Sequence, residues 1–391
     1  MPLHGDRRAA HRAVGALTEP RREGTLRQMT WLKSVRSLVD SSADLANAVR
    51  LRERLERDGY LFFRGLMPQV VLEDLRGQIL AVVEEAGWLD RHAPREHAVA
   101  NMNAACVEPQ PEFRRVYNRL WKLAALHRLS HHPRLLQLIG NLTGPVLAHP
   151  RPILRVMFPQ PSSGEDFTTP PHQDFPHIQG TPETFTTWIS LADCPMAQGP
   201  LAVAEGSHRK GVYDFKLASG AGAIEVVDPL TDLWRASDLL QGDVLLFHSM
   251  TVHRGVPNRT ESLRISVDYR YQSAAAPINE ECLSLNERPM AEEGARFTWE
   301  RLYAEWDAKG AVTDDLKYHW KRFDLRVVPR DPQYHNRRDE LALEAAASGD
   351  ARAISTLQRI IEFTPLDSLR ERAAELIARF DPERRAVQDR P

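Results

Sequence analysis

Leu263-Arg264-Ile265-Ser266-Val267-Asp268-Tyr269-Arg270-Tyr271 alternates apolar and polar residues without interruption. Successive side chains of an extended strand point to opposite faces. The pattern therefore sets Leu263, Ile265, Val267, Tyr269 and Tyr271 on one face and Arg264, Ser266, Asp268 and Arg270 on the other. The first face belongs against a core, and the second meets either solvent or a polar cavity. From Gly144 onward the surrounding sequence is built of short β-type runs broken by Pro and Gly, at 146–149, 153–158, 184–191, 201–204 and 244–247. Short strands at this spacing predict a β-sandwich or barrel.

The chain on either side reads as helix. Leu45, Val49, Leu51 and Leu55 recur at helical spacing, and Asp58-Gly59 stops them before the apolar strand 60–63. Pro68 opens a second amphipathic helix that closes near Gly87, and further helices are predicted over 112–129 and 133–142. Helical patterning returns from about Asp339 to Phe380, broken at Gly349 and Thr364-Pro365. Its Leu and Ile positions read as core contacts. Residues 1–28 are rich in arginine with no apolar period, and read as a disordered leader with Met29 as a candidate start. The expected division is this leader, a main domain over 29–335 (helical at 42–142, β core at about 145–275) and a helical extension over 336–391, the helices clothing one β core.

Composition narrows the function. The 391 residues are 42% hydrophobic and 27% charged, enough for a sizeable core and incompatible with disorder throughout. Lys plus Arg number 51 against 53 Asp plus Glu, so no global positive field favours nucleic acid. Three scattered cysteines, Cys106, Cys194 and Cys282, build neither a disulfide framework nor a Cys-rich metal site and fit a reducing cytoplasm. No apolar run reaches the length of a membrane span.

Two segments carry chemistry. In Pro171-His172-Gln173-Asp174-Phe175 an imidazole and a carboxylate stand two residues apart, a spacing that lets both reach one metal ion. Taken alone, His-x-Asp is a common chance pair. In 242–258 an apolar strand runs into His248, and His253 follows at the lip of a Gly/Pro/Asn turn. Two imidazoles and one carboxylate make the facial set used by non-haem Fe(II), with three positions left open. Arg264, eleven residues beyond His253, offers a guanidinium suited to gripping a carboxylate with two parallel hydrogen bonds, and Ser266 shares its face.

Together, His172-x-Asp174, Trp188, Gly199-Pro200-Leu201, Glu205-Gly206-Ser207-His208, and Phe247-His248 through His253 to Asn258 and Arg264 resemble the phytanoyl-CoA dioxygenase family of Fe(II)/2-oxoglutarate oxygenases. The likeness extends over about residues 45–275 and includes the helix and strand around Asp58-Gly59-Tyr60. Gln198 stands where the family commonly has Asn. The resemblance implies a double-stranded β-helix (jelly-roll, cupin-like) core with flanking helices. It implies His172, Asp174 and His253 as iron ligands and Arg264 as the anchor for the far carboxylate of 2-oxoglutarate. Gln173, Trp188, Thr186 and Ser266 would border the co-substrate, and Arg155 is the candidate for a further polar contact to it.

The activity so implied is hydroxylation of an aliphatic C–H bond in a small molecule by O2, with release of succinate and CO2. The carboxylate at 174 disfavours halogenation, which needs that coordination position. Two other readings stand beside it: a cupin-like metal enzyme that uses no keto acid, and a non-catalytic jelly-roll binding protein. Residues 101–103, Arg155, Asp268, Arg270 and the loop 205–220 are candidates for the substrate pocket. His248 reads as a near-site or core histidine, His177 and His208 as loop histidines, His131-His132 as surface and Asp243 as turn chemistry. A monomer or homodimer is expected.

Overall fold

The computed structural model describes residues 31–380 apart from 109, 161–167, 219–222, 286–297 and 365. The expected leader and Met29 lie outside the described residues. The strands are β1 (Tyr60–Phe63), β2 (Val146–Ala148), β3 (Ile153–Met157), β4 (Thr184–Ser190), β5 (Leu201–Ala204), β6 (Phe215–Leu217), β7 (Ile224–Val226), β8 (Trp234–Arg235), β9 (Val244–His248), β10 (His253–Gly255), β11 (Arg264–Ser273), β12 (Ile278–Asn279) and β13 (Val327–Val328). The main sheet runs β1-β9-β4-β11-β2, with β3 also paired to β11, and every pairing in it is antiparallel. A smaller antiparallel sheet, β10-β5-β8, faces it. This is the jelly-roll core.

The alternation of β11 orders the layers. Its apolar face, Ile265, Val267, Tyr269 and Tyr271, joins Leu61, Phe63, Leu154, Val156, Ile189 and Leu246 in one cluster with the helices behind the sheet. Those helices are α1 (Ala48–Asp58), α2 (Gln69–Glu85), α3 (Pro111–Trp121), α4 (Ala124–Leu129) and α5 (Pro133–Thr143). The buried tyrosine hydroxyls find partners, Tyr269 donating to the Leu126 carbonyl and Tyr271 to that of Ser130, each at 2.8 Å. An unpaired hydroxyl at such depth would cost roughly 1–3 kcal/mol. The opposite face of the sheet presents Tyr60, Phe62, Trp188, Leu245 and Phe247 to Leu201 and Val203 of the smaller sheet. The polar residues of β11 are therefore enclosed between two sheets.

Several helical expectations need correction. The first helix starts at Ala48, capped by Asn47, whose side chain accepts from the Arg50 N–H. Leu45 and Val49 are exposed, leaving Leu51 and Leu55 to pack inward. Gly59 ends α1 at φ +77°, where an added Cβ would stand 2.4 Å from His208 Nδ1. The helix expected over 112–129 is two helices, because side chains capture the carbonyls at its centre. His127 Nε2 takes the Trp121 carbonyl at 2.9 Å, and the Trp306 indole N–H donates to the Lys122 carbonyl at 2.8 Å.

After the short helix α6 (Phe175–Ile178) comes α7 (Trp299–Ala308), whose Leu302, Tyr303 and Trp306 join the main core. The C-terminal helices are α8 (Pro332–Ala347), α9 (Ile354–Phe363) and α10 (Asp367–Ala378). Ala342, Leu343, Leu357, Ile360 and Leu376 form a separate cluster with Leu217 and Ala223 at the β6–β7 pair.

His131 is not a surface residue. Its ring packs 4.2 Å from that of His319, and His127, His149, Trp306 and Trp320 wall the same recess. His132 caps α5 by accepting from the Arg134 N–H. Burial lowers His127 to about 3 and His131 and His149 to about 4. Unfolded histidine binds a proton near pH 6.5, so the stability these neutral rings supply is present above that value and is lost as pH falls toward 4. Each buried ring then costs up to roughly 2 kcal/mol at pH 5. The urea midpoint is expected to drop clearly between pH 7.5 and pH 5; a flat profile would contradict the buried neutral cluster.

Candidate metal and co-substrate site

Residues 172 and 253 face each other in an isolated antiparallel bridge, each N–H donating to the other's carbonyl at 2.9 Å. Opposed residues of such a pair carry their side chains on the same face, and here the ring centroids lie 4.1 Å apart. Two residues on, the chain turns into α6 as the Phe175 N–H donates to the Ser249 carbonyl at 3.0 Å. Asp174 is thereby brought to the two rings. One ligand atom from each of His172, Asp174 and His253 lies within 4.8 Å of the others, and all three residues are buried.

Protonation suits these groups to a cation. His172 Nδ1 is 2.8 Å from the Pro170 carbonyl and His253 Nδ1 is 3.0 Å from that of Thr251. A carbonyl only accepts, so both Nδ1 atoms carry the proton and both Nε2 atoms keep a lone pair. Burial holds both imidazoles below their ordinary pKa, His172 at about 3. Burial alone would raise the Asp174 carboxyl. The guanidinium of Arg270, both imidazoles and the Thr186 hydroxyl override it, so the carboxylate stays ionised well below its usual range. Two neutral nitrogen donors and one carboxylate, gathered away from water, are a donor set for a divalent transition metal such as iron.

Arg264 lies at the start of β11 on the enclosed face, 4% exposed. Its Nη1 donates to Ser266 Oγ at 3.2 Å, its Nη2 abuts the Met157 sulfur, and the guanidinium carbon stands 5.7 Å from the Trp188 ring. Its Nε is buried without a partner, and no carboxylate oxygen pairs with it among the described residues. A cation this deep requires an anion. The far carboxylate of 2-oxoglutarate fits that need.

Other expected residues are distributed around this centre. Thr186 donates to Asp174 Oδ2 at 2.7 Å, so it touches the carboxylate ligand. Gln173 engages its side-chain amide with backbone: it donates to the Gly211 and Met250 carbonyls, at 2.8 and 2.6 Å, and accepts from the Tyr213 N–H at 2.8 Å. Next to the bridge residue 172, its side chain braces the segment 211–213. Arg155 lies opposite Ser266 on β3 and reaches Glu108 at 3.3 Å.

His248 stands apart from the triad, contacting Glu183 at 3.5 Å. His208 Nε2 bonds the Glu56 carbonyl at 2.9 Å. His177, on α6, is more deeply placed than a loop histidine: its Nε2 is buried without a partner and its ring is 6.2 Å from that of His172. Asp243 does serve a turn, accepting from the Gly65 and Leu240 N–H groups. Asn101 is used within its own turn and by the Gly87 carbonyl. In the loop 205–220, Glu205 pairs with Arg36 and Arg235, and residues 219 and 220 lie outside the described residues.

Sequence reasoning missed the pairing of Arg270 with Asp174, Nη2 to Oδ1 at 2.8 Å. The even spacing from Arg264 put Arg270 on the correct face, but nothing local named its partner.

The sequence profile described as phytanoyl-CoA dioxygenase (PhyH) matches residues 55–266, more than half of the chain. The chain belongs to the phytanoyl-CoA dioxygenase family. It is an enzyme, a non-haem Fe(II)/2-oxoglutarate-dependent oxygenase acting on a small-molecule substrate. Among curated members it is 27% identical over 260 residues to a 1-deoxypentalenic acid 11-beta-hydroxylase of Streptomyces arenae, covering 61% of this chain and 88% of that protein. It is 22% identical over 285 residues to a probable phytanoyl-CoA dioxygenase of Caenorhabditis elegans, covering 69% of this chain and 89% of that one. Among solved structures it resembles the epimerase SnoN in complex with Fe3+, alpha-ketoglutarate and nogalamycin RO, with a TM-score of 0.44 and 20% identity over 65% of this chain and 96% of the other. In this oxygenase no helix among the described residues is long and apolar enough to cross a membrane.

Asp268, also on the enclosed face of β11, has one buried carboxylate oxygen without a partner. Burial pushes its carboxyl up to about 6, against the pull of Arg155. In the metal-free protein, ionising it inside costs stability as pH rises from about 4 to 6, and the loss persists above. Asp268→Asn removes that charge and is expected to stabilise the metal-free protein at pH 7.5 by about 1–3 kcal/mol. Denaturant unfolding at pH 7.5 checks this, and equal or lower stability of the variant would refute it.

Proposed function

We propose that His172, Asp174 and His253 hold Fe(II) and that Arg264, with Ser266 beside it, holds the far carboxylate of 2-oxoglutarate. The observation that carries this reading is the buried Arg264 cation, without a carboxylate of its own among the described residues, on the face of β11 from which Arg270 reaches Asp174 of a His-Asp-His set whose two Nε2 atoms keep their lone pairs. Bound there, the iron and its co-substrate supply the oxidising chemistry by which O2, 2-oxoglutarate and an aliphatic C–H become an alcohol, succinate and CO2.

The chain's own residues supply placement. The backbone bridge between 172 and 253 fixes the spacing of the imidazoles, and the carbonyls of Pro170 and Thr251 fix their tautomers. Trp188 and Phe247 form apolar wall around the polar groups, Phe247 packing with its ring centroid 4.4 Å from that of His253. The enclosing sheets exclude water, which strengthens the Arg264 charge toward a carboxylate. Thr186 acts through Asp174, and Arg155 is a candidate for a second polar contact to the co-substrate.

The catalytic unit is assigned to residues 29–335, with the helices from 336 onward as an extension. The scattered, buried cysteines Cys106, Cys194 and Cys282 support a reducing cytoplasmic setting. A monomer or homodimer acting on a small aliphatic metabolite, a natural product included, completes the proposal.

Anaerobic titration with Fe(II) and 2-oxoglutarate is expected to develop a weak visible charge-transfer band. Asp174→Ala should abolish the band, and Arg264→Ala should weaken co-substrate affinity by one to two orders of magnitude, in line with about 1.5–3 kcal/mol for a charge-assisted hydrogen bond. An unchanged spectrum in Asp174→Ala would remove that residue from the metal. Loss of 2-oxoglutarate without equimolar succinate would argue against the reaction.

A further inference from the structure

Asp174 is held from three directions. Its Oδ2 accepts from Thr186 Oγ1 at 2.7 Å and from Arg270 Nε at 3.4 Å, while among the described residues its Oδ1 accepts only from Arg270 Nη2 at 2.8 Å. Each carboxylate oxygen has two lone-pair directions. Oδ2 has both engaged, and Oδ1 keeps one. Arg270 reaches this carboxylate from β11, two strand positions beyond Asp268 and six beyond Arg264, on the same enclosed face and opposite Thr186 of β4. Its side chain is 19% exposed and that of Asp174 is 5% exposed. A carboxylate hinged at a single torsion would otherwise rotate and offer either oxygen, or both.

We infer that Arg270, together with Thr186, is a positioning residue that makes Asp174 a one-oxygen metal ligand through Oδ1. This rests on the assignment of residues 172, 174 and 253 to the metal and adds which oxygen binds and what selects it. The planar guanidinium fixes the plane of the carboxylate, and the threonine hydroxyl occupies the oxygen that must stay off the cation. A carboxylate restricted to one oxygen takes a single coordination position, which preserves the three that a co-substrate bound by two atoms and O2 require. The arrangement separates two arginines of one strand into two tasks, Arg264 for the co-substrate and Arg270 for the ligand.

The test uses Co(II) alone as the probe on the full chain, read by visible absorption and by the metal-induced rise in the thermal unfolding midpoint. Arg270→Met is expected to raise the Co(II) dissociation constant about 10–100-fold, the usual cost of losing a partner that orients a ligand. With Co(II) at saturation, its affinity for 2-oxoglutarate should stay within about threefold of wild type, while Arg264→Met should give the reverse split, keeping the metal and losing the co-substrate. Arg270→Lys, which keeps one donor and the charge, should recover part of the metal affinity.

If Arg270→Met fails to fold, Thr186→Val, which strips the other donor from the same oxygen, should weaken Co(II) in the same direction. Unchanged or tighter Co(II) binding in the folded Arg270 variant, or in Thr186→Val if that variant is lost, overturns the inference, since it would mean that the arginine competes with the cation or ignores it. Failure of the wild-type chain to bind Co(II), or binding that survives Asp174→Ala, overturns the metal assignment itself and the inference with it.

Discussion

Two backbone hydrogen bonds, from each of residues 172 and 253 to the other, tie the segment before α6 to the smaller sheet. Backbone pairing is indifferent to side-chain identity, yet it dictates where side chains go. Once these residues are opposed, their imidazoles must share a face, and the turn into α6 sends Asp174 to the same spot. The carbonyls that receive the Nδ1 protons belong to residues two positions before each histidine, so the same short segments fix both position and tautomer. The grouping of these three side chains thus depends on main-chain register.

Enclosure is the second element. β11 is packed on its apolar face by helices and covered on its polar face by the smaller sheet, so its polar residues lie in a water-poor interior. There, burial sets the cost of every charge. It keeps the imidazoles neutral, lifts Asp268, and leaves Arg264 as a cation in need of an anion. Asp174 escapes the same penalty because Arg270 is beside it. Along one strand, Arg264 is thus left without a carboxylate among the described residues while Arg270 is paired with Asp174.

The C-terminal helices bear on this centre indirectly. α8 packs on α6, with Tyr334 against Phe175 at a ring distance of 5.7 Å, and the Asp331 backbone clasps the Gln179 side chain at the end of α6. Gln179 holds a positive φ of 51°, an unfavourable conformation for a residue with a side chain, and this clasp offsets its cost. The helices after residue 331 therefore brace the segment that carries His172 and Asp174.

The sequence by itself determined the period-two strand at 263–271, the further strands at 153–158, 184–191 and 201–204, the helical flanks and the His-x-Asp, His and Arg positions, because these follow from local periodicity and residue chemistry. It misplaced the start of α1 and the break between α3 and α4, where the deciding bonds come from Trp306 and from side chains folded back on the chain. It gave no sign that Gln173 would brace a loop, that His131 would be packed against His319, or that Arg270 would hold Asp174, since each partner lies about 40 to nearly 200 residues away. Tertiary structure alone decided whether the polar face of β11 met water or an interior. Alternation tells which residues share a face; only the packing of a second sheet over that face turns a row of charges into a binding site.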